Sequence, residues 1–287
     1  MAIPPQPPKS GRPPVVWTIA SSDPSGGAGI QADLKTFHGL GVYGATVIAG
    51  ITVQNTQTFS GIEPVSPTLL RDQIRLLRED LPPAAIKLGM LPSPDMVLLV
   101  AGELAKLSAT PVVCDPILKA TLGEQSLSLA DTESYLAALG PVCSLITPNR
   151  EEAQRLAGHP VTDRHTARRA ADHFRGHGFD AVVIKSLQVD SDLALDWFFD
   201  GTSTYQLTTP ARPNLHTHGA GCTYSAAIAA GLAHGLSLIE SIELAKAYVS
   251  EALRDFAIVG QGRGPLHHGG WPTGTEDQTT TEVIAGP

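Results

Sequence analysis

The chain has 287 residues, 42% of them hydrophobic and 17% charged, enough for one large α/β domain with a buried core; length alone does not require two. A formal net charge of -8 argues against a broad nucleic-acid or anionic-membrane surface, which needs a basic stripe, so any phosphate site has to be local. Three widely spaced cysteines, Cys114, Cys143 and Cys222, follow neither a disulfide nor a zinc pattern and suit a reducing cytoplasm.

Residues 1–14 contain Pro4, Pro5, Pro7, Pro8, Pro13 and Pro14 and no apolar run, which predicts a flexible arm rather than a signal peptide. No stretch reaches the roughly 20 consecutive apolar residues of a membrane span. Short β-rich runs at 15–20, 45–53, 84–88, 111–115, 144–147 and 181–185 are the predicted strands. Helical spacing lies between them: Ile30, Leu34 and Phe37 share one face, Leu70, Ile74 and Leu77 another, and 167–174 and 221–233 repeat likewise. Residues 193–199 and 203–207, split by Asp200-Gly201, predict a late hairpin. Residues 269–287, rich in Gly, Thr and acids without periodicity, predict a flexible tail. Strand-helix alternation predicts a mainly parallel sheet covered by helices on both faces over 15–268, with chemistry at the carboxyl ends of the strands.

The strongest local signal is His218-Gly219-Ala220-Gly221-Cys222-Thr223, followed by a helix of small residues. Amide groups at a helix start form an anion hole suited to a transferring phosphoryl group; the plain alternative is a Gly-rich turn before a buried helix. Cys222 in the first helical turn is either a thiol of lowered pKa able to accept a proton or an inert small hydrophobe. Cys114 and Cys143, inside predicted strands, belong to the inert class.

A second Gly-rich element, Ser22-Asp23-Pro24-Ser25-Gly26-Gly27-Ala28-Gly29, follows the first strand. It matches neither the Walker loop nor the dinucleotide fingerprint. Thr147-Pro148-Asn149 with Glu151 and Glu152 predicts a capping box, or a carboxylate that orders Mg²⁺-bound water beside phosphates. Asp115 and Lys185 end two strands at one sheet edge and are suited to metal and phosphate charge. Asp23, Asp33, Gln54 and Asn55 lie near that edge, where each is either a surface residue or a reader of a polar heteroaromatic ring.

The run from Thr18 to Thr36, TIASSDPSGGAGIQADLKT, closely resembles the opening of hydroxymethylpyrimidine/phosphomethylpyrimidine kinases of thiamine synthesis. The resemblance continues through Val53-Gln54-Asn55-Thr56, Ile86-Lys87-Leu88-Gly89-Met90-Leu91, Asp115-Pro116, Thr147-Pro148-Asn149 with Glu152, and Thr217 to Thr223, covering about 15–268. It implies a three-layer ribokinase-like α/β fold, use of ATP and Mg²⁺, a small pyrimidine substrate and a homodimer. It also implies that Gln54 hydrogen-bonds the aminopyrimidine with Asp33 and Met90 helping to form the pocket. Gly219, Ala220, Gly221 and Cys222 would form the anion hole, with Cys222 as base. Asp115, Asn149, Glu152, Lys185 and Lys246 would serve the nucleotide and metal side, with Glu152 and Asp115 toward Mg²⁺.

Three departures stand out: Ser21 replaces a usual glycine, Ala220 a commoner threonine, and Lys185-Ser186-Leu187-Gln188 the usual Lys-Gly-Gly-His. The last removes two glycines from a loop that should bend over ATP. A pyridoxal-type kinase of the same fold and a catalytically silent ligand-binding relative are the competing readings; Gln54 favours the aminopyrimidine.

Overall fold

The structure is a computed structural model and describes residues 11–118, 132–185, 192–212, 217–254, 258–269 and 279–284. Residues 1–10 of the predicted arm at 1–14, and the Ser186-Leu187-Gln188 departure, lie outside these residues.

In chain order the strands are β1 (Val15–Ser22), β2 (Tyr43–Gln54), β3 (Phe59–Pro64), β4 (Ala85–Leu88), β5 (Val112–Cys114), β6 (Leu145–Ile146), β7 (Ala181–Ile184), β8 (Leu193–Phe199), β9 (Thr204–Pro210) and β10 (Thr280–Ile284). The α-helices are α1 (Gly29–Gly39), α2 (Pro67–Asp80), α3 (Pro94–Leu104), α4 (Thr132–Leu139), α5 (Arg150–Ala157), α6 (Arg164–Gly176), α7 (Ala220–Ala233) and α8 (Leu238–Arg254). All ten strands form one sheet in the order β10-β9-β8-β7-β6-β5-β4-β1-β2-β3. The centre, β7 to β2, is parallel, whereas β3, β8, β9 and β10 pair antiparallel at the flanks.

The period-2 alternation of the central strands builds two apolar layers. Trp17, Ile19, Val112, Cys114, Ile146, Val182 and Ile184 face one way, onto buried residues of α2 to α6 such as Leu70, Val100, Leu136, Leu156 and Phe174. Val16, Val113, Leu145, Ala181 and Val183 face the other, onto Phe37 of α1, Ala226 to Ala230 of α7, and Ile242, Ala245 and Tyr248 of α8. The small residues of α7 permit close helix packing: a Cβ at Gly231 would press on Ser241 of α8. Helix starts are set by side-chain caps, with Ser66 accepting from Leu69 N–H and Ser93 from Met96 N–H.

Two strands depart from the expectation. β3 is a half-exposed edge strand of sequence FSGIEP, whose Gly and Pro conceal it from a pattern reading. β10 falls within the stretch read as a flexible tail, yet Thr280 to Ile284 pair antiparallel with Thr208 to Thr204 of β9 and close the opposite edge. Residues 270–278 and 285–287 lie outside the described residues.

Candidate active site

A cavity of about 810 Å³ opens at the carboxyl ends of the parallel strands. Ser22 and Asp23 enter it from the end of β1, Gln54 from β2, Met90 after β4, Asp115 after β5, Asn149 and Glu152 after β6, and Lys185 after β7. The start of α7 supplies Gly219, Ala220, Gly221 and Cys222.

The two glycine-rich loops are interlocked. Gly219 has φ +84°, and a Cβ there would run into the backbone of Gly27. A Cβ at Gly27 would in turn strike the His218 ring. Across this contact His218 Nε2 lies 2.9 Å from Asp23 Oδ2. Asp23 also accepts from the N–H groups of Ser25, Gly27 and Ala28. Burial favours the neutral Asp23, but the hydrogen bonds from His218, Ser25 and Ala28 outweigh it and hold its pKa at about 2. Asp23 is therefore a fixed anion that shapes the first loop and anchors the second.

The α7 start presents fewer free amides than the four-residue anion hole that the resemblance implies. Ala220 N–H donates to Thr217 O at 3.2 Å, whereas among the described residues the N–H groups of Gly221 and Cys222 have no hydrogen-bond acceptor. Facing them is an ion pair: Lys185 Nζ donates to Asp115 Oδ1 at 3.1 Å. A Cβ at Gly221 would sit 3.4 Å from Lys185 Nζ and 3.6 Å from Asp115 Oδ2, so glycine keeps open the space between helix start and ion pair. Asn149 and Lys185 are brought together by a parallel bridge in which Lys185 N–H donates to Pro148 O at 2.9 Å. Burial opposes the charge on Lys185, but Asp115 and Glu152 outweigh it and hold its pKa above the ordinary lysine value. This lysine is a fixed cation facing amides that have no acceptor, and such an arrangement is complementary to phosphate oxygens.

The family described as phosphomethylpyrimidine kinase matches residues 23–267, a span that runs from Asp23 of the first glycine-rich loop past the start of α7. The chain belongs to that family. A hydroxymethylpyrimidine/phosphomethylpyrimidine kinase of Synechococcus elongatus is 41% identical over 256 residues, covering 89% of this chain and 97% of that protein. The like-named protein of Bacillus subtilis is 38% identical, with 88% and 93% covered. Among solved structures, a Staphylococcus aureus pyridoxal kinase in complex with AMP-PCP superposes with a TM-score of 0.86 at 32% identity, over 96% of this chain and 100% of that one. A phosphomethylpyrimidine kinase from Clostridium difficile gives 0.72 at 34% identity, over 84% and 99%. The fold is thus the ribokinase-like one that the resemblance implies.

Within this kinase the predicted site residues separate into two groups. Gln54, Met90, Asp115, Asn149, Glu152, Lys185, Lys246 and 219–222 all line the cavity. Asp33 does not: it lies in α1 behind Cys222, fully buried, accepting from Thr18 Oγ1 at 2.6 Å and pairing with Lys87 Nζ at 2.8 Å. It supports the floor of the site. Asn55 is a turn residue whose Oδ1 accepts from the N–H groups of Gln57 and Thr58.

Cys222 is buried yet borders the cavity, and its pKa runs opposite to the expectation for a helix start. Burial pushes the thiol up to about 12; Lys87 and the Gly29 N–H favour the thiolate, while Asp33 and Asp115 oppose it. Glu152 combines both of its readings. Its Oε2 accepts from Asn149 N–H at 2.8 Å and Asn149 Oδ1 accepts from Glu152 N–H at 3.0 Å, a complete capping box, and the carboxyl also lines the cavity. Burial lifts its pKa to about 7; Lys185 opposes the rise and Asp115 adds to it.

The departure at Ser21 has a local use, since its hydroxyl donates to Met90 O at 3.0 Å and ties the end of β1 to the pocket segment. The sequence reading missed Asp196, which accepts from Lys246 Nζ at 2.8 Å and from Tyr224 Oη at 3.2 Å. A single carboxylate inside the apolar strand Leu193–Phe199 was the available signal.

Proposed function

We propose that this kinase transfers the γ-phosphoryl group of ATP to the hydroxymethyl oxygen of 4-amino-5-hydroxymethyl-2-methylpyrimidine or its monophosphate, in the synthesis of thiamine diphosphate. The observation that carries this reading is one cavity shared by the unbonded Gly221 and Cys222 amides, the Asp115–Lys185 pair and the Gln54 side chain. Gln54, with donor and acceptor on one side chain, suits an aminopyrimidine edge, and Met90 suits a ring face. The α7 amides and Lys185 hold the charge that develops on the transferring group, so most of the rate comes from positioning and electrostatics.

Cys222 takes the hydroxymethyl proton. Its raised pKa makes the thiolate scarce but strongly basic, and Lys87 beneath it supplies the charge that favours proton loss. Asp115 Oδ2 is buried without a hydrogen-bond partner among the described residues, and with Glu152 it offers the oxygen donors that suit Mg²⁺. Bound there, Mg²⁺ would neutralise phosphate charge.

The exposed apolar residues Ile51 and Val53 on β2 support a homodimer. Among the described residues no helix is long and apolar enough to cross a membrane. The cytoplasm is the proposed compartment.

The test is product mass after incubation with ATP, Mg²⁺ and, in separate reactions, the hydroxymethylpyrimidine, its monophosphate and pyridoxal. A phosphorylated pyrimidine is the expected product, with two added phosphates when both steps are catalysed. Phosphorylation of pyridoxal alone would replace this reading with that of the structural neighbours. No product from any ring would leave a silent ligand-binding relative.

A further inference from the structure

We propose that Glu133, His173 and His177 form a binding site for a divalent transition metal of the zinc type, at the amino ends of the central strands, away from the kinase cavity. His173 and His177 stand four residues apart at the end of α6, hence on one face, and Glu133 projects from the first turn of α4. His173 Nε2 is 3.3 Å from Glu133 Oε1, and His177 Nε2 is 2.9 Å from Glu133 Oε2. One donor atom from each of the three residues falls within 4.8 Å of the others, a spacing that one ion can span.

The hydrogen-bond geometry suits an ion. His177 Nδ1 lies 3.0 Å from His173 O, and a carbonyl oxygen only accepts, so Nδ1 carries the hydrogen. The ring's Nε2 is left turned toward Glu133 Oε2 at 2.9 Å, so the ring nitrogen and the carboxylate converge on one point. A ligating histidine with its other nitrogen held by a backbone carbonyl is the usual outer-shell arrangement. His173 Nε2 is shielded from solvent and, although close to Glu133 Oε1, makes no hydrogen bond among the described residues.

The backbone holds this geometry. A Cβ at Gly140 would collide with the His177 carbonyl, and one at Gly178 would sit 3.1 Å from Gly140 and Pro141, so the chain after α4 and the end of α6 are locked together. These segments lead into β6 and β7 at their amino ends, whereas the kinase site lies at the carboxyl ends. Two imidazole nitrogens and one carboxylate suit zinc, cobalt or nickel rather than Mg²⁺ or Ca²⁺, and three protein ligands leave a position for water. The bound ion would cross-link α4 to α6 and stabilise the fold by mass action.

The experiment titrates the chelator-treated, full-length chain with Zn²⁺ by calorimetry and with Co²⁺ by absorption, and follows thermal unfolding. One saturable site is expected, with a cobalt spectrum lacking thiolate charge transfer and a Tm that rises with added Zn²⁺. Glu133→Gln should weaken binding about 10-fold and the double variant His173→Asn/His177→Asn about 100-fold, with circular dichroism confirming that both fold. No saturable binding would leave an ion pair only and overturn the proposal. So would affinity unchanged in the double variant, or a thiolate signature in the cobalt spectrum.

Discussion

Lys87 Nζ lies 2.8 Å from Asp33 Oδ2 with both side chains at 0% exposure, directly beneath Cys222. Burial alone favours a neutral Asp33, and the lysine counters it. Removing one partner of such a pair leaves an uncompensated buried charge and costs about 3–5 kcal/mol. Lys87→Met is therefore expected to lower unfolding stability by that amount in urea, and Lys87→Met/Asp33→Asn to recover most of it. A loss under about 1 kcal/mol in the single variant would contradict a paired interior.

The thiol of Cys222, raised to about 12, sets a pH dependence. Below that pKa each pH unit multiplies the thiolate fraction tenfold, so log kcat should rise with slope near +1 from pH 7 to 9 wherever the chemical step limits turnover. A slope that falls to about one half by pH 9 would show a thiol at its ordinary pKa of 9.0, and a plateau below pH 9 a lowered one; either would contradict the raised value. Cys222→Ala should lower kcat on the order of 10²- to 10⁴-fold while ATP affinity changes little; unchanged turnover refutes the base assignment.

Gly219→Ala should remove activity by a different route. The new Cβ meets the Gly27 backbone, and φ +84° is strained for alanine. The loops must part, which displaces the Gly221 and Cys222 amides, so kcat should fall about 100-fold, the scale of losing one oxyanion donor. Steady-state kinetics beside a thermal melt separate this effect from unfolding, because Gly235→Ala, with φ +82° and nothing within 4 Å, carries backbone strain without the collision.

Glu152 gives a stability test. Its folded pKa of about 7 exceeds the ordinary value of 4.5, so between those pH values the folded chain binds more protons than the unfolded one and this group loses stability as pH rises. The penalty is absent below pH 4.5 and complete above 7. Glu152→Gln keeps an acceptor for the Asn149 N–H without the charge, so its stability relative to the parent should grow from pH 5 to 8 in denaturant titrations. A constant difference would indicate an unshifted carboxyl.

The parallel strands were legible because β-branched runs such as Val112-Val113 and Val182-Val183-Ile184 are buried on both faces and read as continuous apolar segments. β10 was not, since an edge strand with exposed Thr280 and Glu282 reads as a polar tail. That Gly219, Gly221, Gln54 and Lys185 line one cavity was legible from glycine pattern, strand-end position and family likeness. Asp33 was misplaced because its helix face turns inward to a lysine 54 residues away, which no local pattern encodes. Sequence left Cys222 open between an activated and an inert thiol for a similar reason: the helix start is visible in sequence, but the burial that raises the pKa is not.

Asp23 and His218 stand 195 positions apart, yet the two glycine-rich loops of the cavity interlock only where they meet. A growing polypeptide that has not yet emerged past α7 thus has no assembled catalytic apparatus, however well its first strands have condensed. Competence arrives in one late step, when distant ends close on each other, and fragments cut between them should regain turnover only when mixed.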